Sequence, residues 1–110
     1  VFYLKKVVVV AAAHRLDLNY PSKCQNVHGH AWKITIYCRR ESLDENGMVF
    51  DFSKIKETVN VLDHHFINDY VEQPTAENIA KWLCDQIPYC YKVDVEESEG
   101  SVVTYDGNQS

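Results

Sequence analysis

The sequence predicts an α+β fold of order ββααββ, a four-stranded, mainly antiparallel sheet with two helices on one face. Three features predict it. A β-branched run opens the chain and is followed by strict alternation from residue 28. Two segments between 52 and 87 carry apolar residues at helical spacing, and two short strand-like segments follow Pro88.

Residues 2 to 13 are Val-rich and read as a buried strand, because branched side chains suit a pleated surface better than a helix. Asp17, Asn19, Pro21, Ser22 and Asn26 mark residues 15 to 27 as a loop. From there His28, His30, Trp32, Ile34, Ile36 and Cys38 share one parity, and Lys33, Thr35, Tyr37 and Arg39 the other, as in a strand with one face toward a core. Asn46-Gly47 is a hairpin turn signal, since both residues tolerate positive φ, and it returns the chain into MVFDF.

Asp51 or Ser53 caps a first helix, with Phe52, Ile55, Val59 and Leu62 as its apolar stripe. Pro74-Thr75 opens a second, Glu77 suits its first turn, Ile79, Leu83 and Ile87 form its stripe, and Pro88 stops it. Strands near 92 to 97 and 101 to 105 are joined through Glu99-Gly100. Such a sheet has two open edges and one uncovered face, and oligomerisation is a natural way to protect them.

A length of 110 residues fits a single domain, 1 to 110, with a real core. Sixteen acidic against eleven basic side chains, a net charge of -5, argue against a nucleic-acid surface. No stretch approaches the ~20 apolar residues of a membrane span. KKVVVVAAAHRL has the outline of a signal peptide, but its apolar run is short and made of valines rather than leucines, so we read it as a strand. Cysteines 24, 38, 84 and 90 show neither paired CxxC spacing nor disulfide-scaffold density, which fits a reduced, cytoplasmic chain.

The chemistry gathers in CQNVHGHAWKI, residues 24 to 34. Residues i and i+2 of a strand point the same way, so His28 and His30 can converge on one ion, and His14 joins them if the first two strands pair. Three imidazoles with a vacant position describe a catalytic zinc site better than a structural one. HGH by itself reads more readily as a strand entry with two partly exposed histidines, and His14 and the polar loop add weight to the metal. Cys38, Cys84 and Cys90 fit small core positions, whereas Cys24 lies in a polar loop, where a nearby dication favours its thiolate. In LDHHFIND, Asp63 beside His64 suggests a carboxylate orienting an imidazole for proton transfer, although the residues alone favour a solvated loop. Glu97 shares parity with Val93 and Val95. It is either an acid awaiting a bidentate donor pair or the point where a strand meets water.

Taken together, AAHRL at 12 to 16, CxxxHGH at 24 to 30, GMVFDF at 47 to 52, LDHHFIN at 62 to 68, PTAENIAKWL at 74 to 83 and VEES at 95 to 98 resemble the 6-pyruvoyl-tetrahydropterin and 6-carboxy-tetrahydropterin synthase family. The resemblance implies a tunnelling (T-fold) subunit assembling into a homohexamer of two trimers, with active sites between subunits. It implies zinc ligands at His14, His28 and His30, a catalytic cysteine at Cys24, an Asp-His pair at Asp63 and His64, and a pterin-anchoring acid at Glu97. Thr75, Ala76 and Glu77 match the segment that helps line the pterin pocket. The substrate implied is 7,8-dihydroneopterin triphosphate, with Lys23, Arg15 and Lys54 as candidate triphosphate contacts. The three-residue gap between Cys24 and HGH resembles the 6-carboxy-forming members of the 7-deazaguanine and queuosine pathway. The pyruvoyl-forming members have a longer gap, and a subgroup acting on dihydroneopterin has a glutamate where Gln25, Asn26 and Val27 stand. Val10-Ala11 departs from the family's Phe-Ser. The same scaffold also suits pyruvoyl formation or a non-catalytic pterin-binding assembly protein.

Overall fold

In the computed structural model, residues 1–107 are described. The elements run β1 (Phe2–His14), β2 (His28–Arg40), α1 (Phe52–Asn60), α2 (Ala76–Gln86), β3 (Cys90–Ser98) and β4 (Ser101–Asp106), with two short 3-10 turns at Lys23–Gln25 and Ile67–Asp69. The sheet order is β1-β2-β3-β4 and every neighbouring pair is antiparallel. This is the expected ββααββ arrangement. No helix among the described residues is long and apolar enough to cross a membrane.

One parity of each strand builds the core. Val8, Val10 and Ala12 of β1 lie on it with Trp32, Ile34, Ile36 and Cys38 of β2 and Val93 and Val95 of β3, all buried. Ile55 and Val59 of α1 and Ile79, Ala80 and Leu83 of α2 complete it. Each buried valine, isoleucine or leucine among these stabilises the fold by roughly 1.5–3 kcal/mol. Thr35 is buried from the opposite parity, while Val7 and Val9 stay exposed on that face.

The caps are those the sequence offers. The Asp51 carboxylate accepts from the Ser53 amide, and the Thr75 hydroxyl from the Asn78 amide. Two expectations change. Phe52 leaves the apolar stripe and is exposed, with the Lys6 ammonium 5.9 Å above its ring. Asn46-Gly47 closes no two-residue hairpin, and the MVF stretch after it is not a strand. Gly47 alone has positive φ, at 80°, and the Asp44 carboxylate accepts from the amides of Asn46 and Met48, folding the segment into a side-chain-closed loop.

β1 and β2 pair along their whole lengths, from Phe2 opposite Arg40 to His14 opposite His28. Beyond α1, the chain returns along the free edge of β1. Ala11 donates to Asp63 and accepts from the His64 amide, and the Ala13 amide donates to the His65 carbonyl. Past the end of β1, side-chain amides continue this pairing. Asn68 bonds both main-chain groups of Arg15, and Gln73 both of Asp17. The end of β1, where His14 sits, is thereby clamped on both sides.

Candidate functional site

His14, His28 and His30 lie at the end of the core parity, where the apolar layer stops. His14 stands opposite His28 in the ladder, and His30 follows two residues on. One ring nitrogen from each lies within 4.8 Å of the others, a spacing at which the three could hold a metal ion. His14 is fully buried, and its ring packs edge-on to Trp32 at 4.8 Å between centroids.

The tautomers are set by carbonyls. His14 Nδ1 donates to the Pro74 carbonyl at 2.8 Å and His28 Nδ1 to the Asn26 carbonyl at 2.7 Å. Each Nε2 is left as a lone-pair donor, the arrangement found behind metal-bound imidazoles. The Nε2 atoms of His14 and His30 are buried and have no hydrogen-bond partner among the described residues. Such orphaned atoms are costly unless something accepts the lone pairs, and an ion with a preference for imidazole does so. Burial, more than any other influence, holds the His14 imidazole below its usual proton affinity and so favours the neutral, ligating form. Nothing in the sequence marks Pro74 or Asn26 for this role, because a main-chain carbonyl has no residue signature.

Glu97 meets the same centre. Its two carboxylate oxygens lie 3.5 Å from His30 Nε2 and 3.8 Å from His14 Nε2. Lys23, Cys24, His28, Gly29, His30 and Glu97 together line a cavity of about 470 Å³. The short Lys23–Gln25 turn holds Cys24 there, its amide donating to the Ser22 hydroxyl. The other three cysteines are packing groups. Burial pushes the Cys84 thiol up to about 12, and Cys90 is raised by its contact with Cys38 and by burial.

Of the three candidate phosphate contacts, Lys23 lines this cavity. Arg15 is engaged with Asp17 at 2.8 Å and with the Gln25 carbonyl, and Lys54 is on the exposed side of α1.

Asp63 and His64 do not line the Cys24 cavity. They sit at the β1 edge, and His64 borders a second depression with His65 and the alanines of β1, which shares Gly29 and His30 with the Cys24 cavity. His64 Nδ1 donates to Asp63 at 2.8 Å, and its side chain is 80% exposed. The Ala11 amide first, then His64, holds the Asp63 carboxyl below the usual carboxylate range. His64 has φ 58°, a left-handed backbone uncommon for a residue with a side chain. Its amide bond to the Ala11 carbonyl secures that conformation. Thr75, Ala76 and Glu77 also lie outside the Cys24 cavity. Thr75 caps α2, Ala76 is buried, and Glu77 is exposed on the first turn.

Known proteins are similar to this chain in fold and sequence. The chain is 34% identical over 110 residues to a Synechocystis protein named 6-carboxy-5,6,7,8-tetrahydropterin synthase, with 86% of this chain and 84% of that one covered. A Bacillus subtilis protein of the same name is 29% identical, with 94% and 84% covered. The structure of Caenorhabditis elegans 6-pyruvoyl tetrahydropterin synthase matches with a TM-score of 0.75 and 28% identity, over 97% of this chain and 96% of that one. The family model for 6-pyruvoyl tetrahydropterin synthase matches residues 3–108, and the chain belongs to that family.

Proposed function

We propose that this T-fold chain, residues 1 to 110 as one domain, is a zinc-dependent lyase. It converts 7,8-dihydroneopterin triphosphate and water to 6-carboxy-5,6,7,8-tetrahydropterin, acetaldehyde and triphosphate, in the cytoplasmic supply of 7-deazaguanine and queuosine precursors. The observation that carries this reading is the shared cavity of Cys24, two of the three clustered histidines and Glu97. The name of the Synechocystis relative supports the carboxy-forming outcome.

In this reading His14, His28 and His30 hold the zinc. When bound, it supplies Lewis acidity toward the substrate's side-chain oxygens. Cys24 takes or shuttles a proton at the adjacent carbon through its Sγ. Glu97 accepts from the pterin amino and ring N–H groups and orients the side chain. Lys23, on the same cavity wall, pairs with the triphosphate.

His64, with Nδ1 tied to Asp63, presents Nε2 as the partner acid or base. Its place outside the Cys24 cavity of its own chain supports a site completed between subunits of a homohexamer, with Thr75, Ala76 and Glu77 contributed in the same way. Free cysteines at 24, 38, 84 and 90 are compatible with a reducing compartment.

Incubating the zinc-loaded protein with 7,8-dihydroneopterin triphosphate and identifying products by mass spectrometry tests the reading. A 6-carboxy product with acetaldehyde supports it. A 6-pyruvoyl product moves the protein to the activity named for the Caenorhabditis elegans neighbour. Unchanged substrate with zinc bound overturns both.

A further inference from the structure

Glu97 is positioned for the metal centre itself. β3 pairs with β2 so that Glu96 faces Lys33, and the next residue reaches toward the histidine end of β2. The ladder to β4 shifts register between Glu96 and Ser98, leaving Glu97 outside that pairing, and such bulges commonly re-aim a side chain beside an active site. Its parity with Val93 and Val95 directs it to the core face, against His14 and His30.

Electrostatics make this placement informative. His14 Nδ1 is the donor to Pro74, so a neutral His14 presents a lone pair at Nε2. A carboxylate oxygen 3.8 Å from that lone pair is an acceptor facing an acceptor. Three imidazoles whose ring centroids lie 4.5, 4.9 and 5.2 Å apart also resist sharing positive charge. A cation between them resolves the conflict. With metal–ligand bonds of about 2.1 Å, the edges of a tetrahedron are roughly 3.4 Å. One Glu97 oxygen lies 3.5 Å from His30 Nε2 and the other 3.8 Å from His14 Nε2, each close to that edge length from a different imidazole.

We propose that Glu97 is the fourth ligand of the metal held by His14, His28 and His30 when no substrate is bound, and that an arriving pterin displaces it. The proposal rests on the reading of this centre as a metal site. Glu97 is 33% exposed and lines the cavity shared with Cys24, so a rotation of its side chain carries the carboxylate from metal to ligand space. Both of its oxygens then become free to accept from a pterin's paired N–H groups.

The test is metal titration of the stripped full-length protein against a chromophoric zinc chelator, with cobalt(II) spectra of the same samples. Wild type, Glu97→Gln and Glu97→Asp are compared, with circular dichroism as the folding control. Glu97→Gln is expected to weaken zinc binding at least about tenfold, the lower end of what even an outer-shell change costs, and to shift the cobalt bands. Saturating 7,8-dihydroneopterin, whose binding its own fluorescence follows, is expected to shift the wild-type cobalt bands.

Equal affinities with superimposable spectra in wild type and Glu97→Gln overturn the proposal while leaving the metal site standing. A weaker Glu97→Gln whose cobalt spectrum is unchanged, with Glu97→Asp retaining wild-type affinity, reduces Glu97 to a nearby charge and also overturns it. Wild-type bands unmoved at saturation overturn the displacement. A wild type that binds neither ion overturns the metal reading and the ligand with it.

Discussion

At the scale of single residues, the site depends on side chains whose alternatives have been removed. His14 is fully buried, one ring nitrogen committed to the Pro74 carbonyl and the other without a hydrogen bond among the described residues. A buried imidazole in that state costs stability unless a ligand arrives, which is the usual bargain at a functional centre. Cys24 differs from the other three cysteines through its place on the cavity wall. For Cys24→Ala, the proposed proton step predicts a loss of turnover of at least about 100-fold, the scale of a positioned acid or base. Affinity for 7,8-dihydroneopterin is expected to stay nearly unchanged, because an interaction made only in the transition state contributes to turnover and not to ground-state binding. Single-turnover kinetics alongside fluorescence titration separates the two, and a matched fall in both sinks the assignment of Cys24 as a proton carrier.

At the scale of elements, two main-chain devices hold the site. The N-terminus of α2 supplies both the Thr75 cap and, one residue earlier, the carbonyl that orients His14. Thr75→Ala is expected to cost about 1 kcal/mol of stability, read as a lower urea midpoint at unchanged slope. No change in midpoint would show that the cap is replaceable by water. The second device is the loop after α1, stitched to the edge of β1 by Asp63. The folded-state proton affinity of Asp63 is depressed, so its contribution is fully present above the unfolded value of about 3.9 and is lost as pH falls through the lower folded value. Amide exchange at Ala11, whose N–H donates to Asp63, is expected to accelerate relative to mid-β1 amides as pH drops below about 4. In Asp63→Asn that pH dependence should be absent. Identical profiles in the two proteins would remove Asp63 as the cause.

At the scale of the whole molecule, the sheet is unfinished. Phe2, Tyr3, Val7 and Val9 of β1 and Val102 of β4 are exposed, and both strands are sheet edges. The proposed assembly covers them and brings the His64 of one chain toward the Cys24 of another. Mixed oligomers test this directly. Cys24→Ala and His64→Ala are each expected to be inactive alone. Unfolded and refolded together in equal amounts, they should regain about a quarter of wild-type activity, since a site drawing the two residues from different chains is intact one time in four. Failure to recover any activity, with a hexamer present by light scattering, would place both residues in one chain's site.

Much of this protein is determined by its sequence alone. Alternation from His28 to Cys38 placed β2 and its buried parity, Thr75 and the pair Asp51 or Ser53 marked both helix starts, and the parity of Glu97 put an acid on the core face. These are local properties, set by strand and helix periodicity and by capping chemistry, and they survive without knowledge of neighbours. Tertiary structure alone decided the rest. Phe52 kept helical spacing yet faced solvent at the first position of α1, with Lys6 over its ring, while Ile55 and Val59 were buried. Asp44, unremarked in the sequence, turned Asn46-Gly47 from a hairpin into a closed loop through its carboxylate. The register from His14 opposite His28 to Glu96 opposite Lys33 brought three histidines and Glu97 to one point, while the β1 edge carried Asp63 and His64 to another. Periodicity specifies the face on which a side chain lies; its partners depend on register and long-range packing between segments distant in the chain.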